Sequence, residues 1–113
     1  MNKPFAAALF LKRLRSLLAA KKVVFLPRNR EKTWEFMLAE GLDVEDIFDI
    51  LARLEVEHCQ WGPDEDHDGS GGNVMLFFYP YGKKALYIKL KIWSDAHGDA
   101  GAVISFHEEG KYD

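Results

Sequence analysis

The stretch Ala85 to Trp93, ALYIKLKIW, constrains this chain more than any other, because its two alternating residue sets have opposite chemistry. Successive side chains of a strand point to opposite faces. Leu86, Ile88, Leu90 and Ile92 therefore form an aliphatic face, and Tyr87, Lys89, Lys91 and Trp93 form the other. The first face requires a hydrophobic core. The second alternates aromatic rings with ammonium groups, the chemistry that a stacked base and its phosphate would meet. The same pattern also suits a half-solvated sheet whose lysines lay their stems over apolar neighbours and keep their heads in water.

The flanking segments say what covers the aliphatic face. Pro4 to Ala20 reads as a helix with Phe10, Leu14, Leu17 and Leu18 on one stripe. Lys22 to Leu26, KVVFL, is a short β-branched and aromatic run ended by Pro27, hence an edge strand with a side on which a partner strand could pair. Asn29 can cap a helix that runs to Glu40 and stops at Gly41, with Trp34, Met37 and Leu38 inward. Asp43 caps a third helix carrying Val44, Ile47, Phe48, Leu51 and Leu54 on one side. Trp61 to Gly72, WGPDEDHDGSGG, has the Pro, Asp and Gly density of a loop. Three strands close the chain: Asn73 to Tyr79, apolar on both faces and so interior, then Lys84 to Trp93 and Gly101 to Glu108. Helices first and a meander last define an α+β class, with N-terminal helices packed on a C-terminal antiparallel sheet, in one domain spanning residues 1–113.

Charge is unevenly placed along the chain. Residues 1–30 hold eight Lys or Arg and no acid, residues 31–68 hold two against thirteen acids, and residues 69–113 hold five of each. A local positive patch can therefore exist on a chain of net charge −3 if the basic segment and the lysine strand converge. The alternative is that the basic segment pairs with the acidic one. One cysteine, Cys59, permits no internal disulfide, which suits a reducing cytoplasm. The apolar run Phe5 to Leu11 is too short to span a bilayer and reads as structure, not as a membrane anchor.

Alternation on the last strand places Ala102, Ile104 and Phe106 with the core, and Val103, Ser105 and His107 with Tyr87, Lys89 and Lys91 on the open face. Two other constellations compete for a function. Asp64, Asp66, Asp68 and Gly69 spell the opening of a calcium loop, but Met75 stands where the bidentate Glu is required and a strand follows instead of a helix. His58, Cys59, His67, His97 and His107 lack ligand spacing, so no metal site is expected.

Several strings taken together resemble one known family. VFLPR (Val24 to Arg28), GLDVEDIFDIL (Gly41 to Leu51), WGPDEDHDG (Trp61 to Gly69), YIKLKI (Tyr87 to Ile92) and ISFHE (Ile104 to Glu108) are similar to the MqsR family of bacterial toxins, within the RelE-like superfamily. The resemblance covers about Leu9 to Glu109. It implies a RelE-like α+β endoribonuclease that cleaves mRNA, with or without a ribosome, is held inactive by a cognate antitoxin protein, and needs no metal or organic cofactor. Tyr87 matches the functional tyrosine of the family's strand, and His107 the basic or histidine position of its SF motif. The chain also departs from the family: Trp61 stands where similar relatives carry lysine, and Leu76 near a glutamine of the family pattern.

Metal-independent RNA cleavage needs a base for the ribose 2′-hydroxyl, a cation beside the phosphate and an acid for the leaving oxygen. The open face offers all three types. Tyr87, Lys89 and His107 are the candidate catalytic residues, and Lys91, Trp93 and Arg28 the candidate RNA-binding ones. A catalytically inactive module that docks a protein partner through the same face is the alternative.

Overall fold

The computed structural model describes residues 3–66 and 70–110. Its helices follow their caps. Helix α1 spans Lys3–Ala19, and α2 spans Arg30–Glu40. The Asn29 side chain accepts the Lys32 N–H at the start of α2, and Gly41 ends it with a φ of 68° that costs glycine no steric clash. Helix α3, Val44–Leu51, begins with a reciprocal box in which Asp43 and Asp46 each accept the other's backbone N–H at 2.9 Å.

Five strands form one sheet: β1 (Val23–Phe25), β2 (Cys59–Glu65), β3 (Asn73–Tyr81), β4 (Lys84–Asp95) and β5 (Gly98–Glu108), in the order β1-β5-β4-β3-β2. The two-faced strand, β4, is central and β3 is interior. Neighbours pair antiparallel except β1, which lies at an edge and runs parallel to β5. Of the segment expected to be a loop, Trp61 to Glu65 instead continue β2, displaced from regular register twice between Cys59 and Asp64, whereas Asp66 and Ser70 to Gly72 lie outside the strands. Edge position and irregular pairing reconcile its Pro63 and exposed acids with a strand. Both hairpin connections are tighter than expected: Tyr81 pairs with Lys84 and Asp95 with Gly98, leaving two-residue turns. Gly82, at φ 62°, occupies the first turn position that favours glycine.

One irregularity reassigns the last strand. Opposite β4, His107 pairs with Tyr87, Phe106 with Ile88 and Ser105 with Lys89, as alternation requires, but Val103 then pairs with Leu90 and Ala102 with Lys91. A bulge at Ile104 absorbs one residue and inverts the parity of everything before it. Val103 therefore lies in the core, and Ala102 and Ile104 form a small apolar cluster with Val74 and Trp93 on the open face. Both Ala102 and Ile104 were expected in the core and Val103 outside it.

The helices cover the other face. Phe10, Leu11, Leu14 and Leu17 of α1, Phe36 and Met37 of α2, and Ile47, Ile50 and Leu51 of α3 bury Leu86, Ile88, Leu90 and Ile92 of β4. Each such side chain contributes about 1.5–3 kcal/mol by leaving water. Helix α2 is rotated from the expected phase: Thr33, Phe36 and Met37 face inward, Leu38 is 83% exposed, and Trp34 packs edge-on to Phe25 with centroids 5.6 Å apart. The basic segment is partly neutralised within the fold. Arg15 donates to the Leu54 carbonyl at 2.6 Å and lies 3.7 Å from Glu55, and Arg13 lies 3.1 Å from Asp99. No helix among the described residues is long and apolar enough to cross a membrane.

The phase of α2 is checked by two truncations: Phe36→Ala should cost about 3–5 kcal/mol in urea denaturation and Leu38→Ala under about 0.5 kcal/mol. Equal losses would reject this rotation. A second expectation concerns pH. The Ser94 hydroxyl, then Arg13, hold the Asp99 carboxyl below its ordinary 3.8. With the folded value below the unfolded one, the stabilisation is complete above the unfolded value and fades as pH falls through the folded one. Asp99→Asn should therefore lower the melting temperature at pH 7 and match the wild type near the acid limit, as a series of thermal melts would show.

Candidate functional site

Residues Tyr87, Lys89, Lys91 and Trp93 stand at every second position of β4, so the open face is a stripe roughly 20 Å long at about 3.3 Å per residue. The strands beside β4 divide it into two ends with different chemistry.

At the Tyr87 end, aromatic rings set the geometry. His107, opposite Tyr87 in register, stacks flat on it with centroids 4.8 Å apart and planes 8° apart, and Phe78 of β3 tilts against Tyr87 at 6.0 Å. The His107 Nδ1 donates to the Glu108 carbonyl at 3.0 Å. A carbonyl only accepts, so the neutral ring carries its proton on Nδ1, and Nε2 is the basic nitrogen. His107 is 6% exposed while Tyr87 is half-buried, so the tyrosine is the more accessible of the stacked pair. Next along the strand, the Lys89 ammonium sits 5.2 Å from the centroid of Trp61, whose register partner is Leu76. The two departures from the family pattern thus flank Lys89, with an indole face against its charge.

At the Trp93 end, a buried carboxylate organises the charges. Lys91 is 7% exposed and its ammonium lies 2.8 Å from the Asp66 carboxylate, which also accepts from Arg28. Lys91 further donates to Ser70 and lies 6.0 Å from the Trp93 ring centroid. Two cations thus converge on one carboxylate, and the half-exposed Arg28 side chain is the part of the group that meets solvent. Gly72 allows this packing: a Cβ there would stand 2.9 Å from the Ile92 carbonyl oxygen and 3.1 Å from Lys91 Cε, and its φ is 84°. Leu26, Arg28, Ser70, Trp93 and Ile104 line a cleft of about 300 Å³ above Lys91.

All six candidate residues lie on this face, in two groups: Tyr87, Lys89 and His107, then Arg28, Lys91 and Trp93. Sequence reasoning missed Asp66, the hub of the second group, which had been read among calcium-loop acids. Asp64 is exposed on β2, while Asp66 is occupied by cations of the chain itself. Asp68 and Gly69 lie outside the described residues. Phe78 was also missed, since β3 is apolar on both faces and alternation alone did not say which of its residues share the face with Tyr87. Among the described residues, no three His, Cys, Asp or Glu side chains gather as a metal ion would require. No protein-family model, no curated protein and no solved structure matches the chain.

The Asp66–Lys91 pair gives a direct test. Asp66→Asn leaves a buried ammonium without its counter-charge and should cost about 3–5 kcal/mol. Lys91→Met should cost less, because Arg28 still balances the carboxylate, and the double variant should recover most of the loss. A double-mutant cycle in denaturant that shows no coupling would overturn the pairing.

Proposed function

We propose that this chain is an mRNA-cleaving endoribonuclease that works without a metal, the toxin of a cytoplasmic toxin-antitoxin pair of the kind its resemblance to the MqsR family implies. The observation that carries the reading is the juxtaposition on one sheet face of the Tyr87–His107 stack, the Lys89 ammonium and the Arg28–Trp93 cleft. Single-stranded RNA needs rings for its bases and cations for its phosphates along one track.

In this reading the roles follow accessibility. Tyr87 meets the ribose 2′-hydroxyl and assists its deprotonation. Lys89, on the same face two residues on, stabilises the charge that grows on the phosphate and gives the leaving 5′ oxygen its proton. His107 lies under the tyrosine ring and fixes its plane, with Nε2 as the proton acceptor of the pair. Arg28 takes a neighbouring phosphate and Trp93 a neighbouring base, while Lys91 supports the cleft through Asp66.

One observation favours a second reading, a non-catalytic module that docks a protein partner: of Tyr87, Lys89, Lys91 and His107 on this face of β4 and β5, His107 and Lys91 are buried. The two readings separate when the wild type and Tyr87→Phe are induced without any neighbouring gene. For the ribonuclease, growth stops and new RNA 5′ ends appear with the wild type, and Tyr87→Phe, folded by circular dichroism, cleaves about 10²–10⁴-fold more slowly. Normal growth and intact RNA with folded wild-type protein would establish the docking module instead.

A further inference from the structure

The outer side of β1 is a sheet edge apart from the open face. In the parallel ladder with β5, Gly101 donates to the Lys22 carbonyl at 2.9 Å and Leu26 donates to the Val103 carbonyl at 3.0 Å. The register of Val24 on Ala102 places the Val24 N–H and C=O in the same ladder. The backbone groups of Val23 and Phe25 therefore point away from the sheet, and no partner for them occurs among the described residues. A strand edge with two outward N–H and two outward C=O groups is a template for another strand.

Side chains around this edge suit the alternating residues of such a strand. On the open face, Val24 is 45% exposed and Leu26 60%. On the helix face, a hollow of about 310 Å³ opens beside Val23, walled by Leu18 and Phe48 with Lys21 and Glu45 at its mouth. Farther along the same side, Trp34 stands over Phe25 with its ring partly exposed. Neighbouring apolar side chains of an added strand thus meet apolar surface on both faces.

Charge chooses between occupants. Lys21 and Lys22 lie at one end of β1, and Arg28 and Arg30 just past the other. A second copy pairing antiparallel on β1 would set Lys21 and Lys22 of one copy beside Arg28 and Arg30 of the other, a repulsive arrangement. An extended segment with acidic ends and apolar residues at alternate positions meets the opposite charge at both ends. We propose that β1 recruits such a segment of a partner protein by strand addition, extending the sheet beyond β5 and β1. The proposal holds whether or not the open face cleaves RNA.

The test uses the full chain and a displayed library of random dodecapeptides, followed by residue-resolved amide hydrogen exchange with the selected peptides. Selected sequences should be acid-ended with alternating apolar residues. They should slow exchange at Val23 and Phe25 by at least tenfold, while Val24 and Leu26, already bonded to β5, change little. Leu26→Asp, a change at an exposed position, should weaken binding more than tenfold with the fold intact. Failure to select peptides, or selected peptides that leave Val23 and Phe25 exchanging freely, would overturn the proposal. Protection of those two amides in concentrated protein alone would assign the edge to a second copy, and protection by an RNA oligonucleotide would assign it to nucleic acid. Either result also overturns it.

Discussion

Burial of Leu86, Ile88, Leu90 and Ile92 beneath three helices is the constraint on which the rest of the structure depends. A slip of β4 by one residue would expose all four and bury Tyr87, Lys89, Lys91 and Trp93 in their place, so the register is fixed by the difference between aliphatic and charged residues. Because β4 is the central strand, its register passes to β3 and β5 and through β5 to β1. The open face is then a consequence of the core. Tyr87 and Lys89 are presented to solvent because their neighbours are not.

The open face is itself only partly open. At the Trp93 end the bulge at Ile104 turns Ala102 and Ile104 outward, where with Val74 they make an apolar floor beside Lys91 and Trp93. A lysine on such a floor loses hydration, and an isolated buried ammonium would be costly. Asp66 supplies the counter-charge, and Arg28 completes the group. The same residues that read in sequence as a phosphate-binding pair thus behave first as a structural ion cluster that ties the end of β2 to the sheet. Arg28 is the more exposed of its two cations.

The two surfaces divide the molecule's chemistry. Stacked rings and the Lys89 ammonium occupy the middle of the sheet, where five strands hold them rigidly. The β1 edge lies at the margin, where three residues pair on one side only and apolar side chains stand exposed. A partner held there would approach the cleft lined by Leu26 and Arg28, so occupancy of the edge and access to that end of the face are coupled by position.

Local chemistry made much of this legible. Asn29, Gly41, Asp43 and Asp46 located the helix ends, because a cap is satisfied within a few residues of itself. The alternation of β4 and of the last four residues of β5 gave the Tyr87–His107 and Lys89–Ser105 neighbours, because pleating has a fixed period. What lay beyond those local rules was decided only by tertiary pairing. The bulge at Ile104 inverts a pattern that looks regular in sequence, since a bulge is defined by the strand opposite and not by the strand that contains it. Met37 read as inward and is, but Trp34 and Leu38 were expected beside it and the packing of α2 on β5 selected Thr33 and Phe36 instead. Asp66 read as one acid among many until the fold brought Lys91 and Arg28 to it across 25 and 38 positions of chain. By itself the sequence determined the three helices, four of the five strands and which face of β4 is buried. Which charges are neutralised and which backbone edge stays open are properties of contacts between distant segments, and these only the tertiary structure decided.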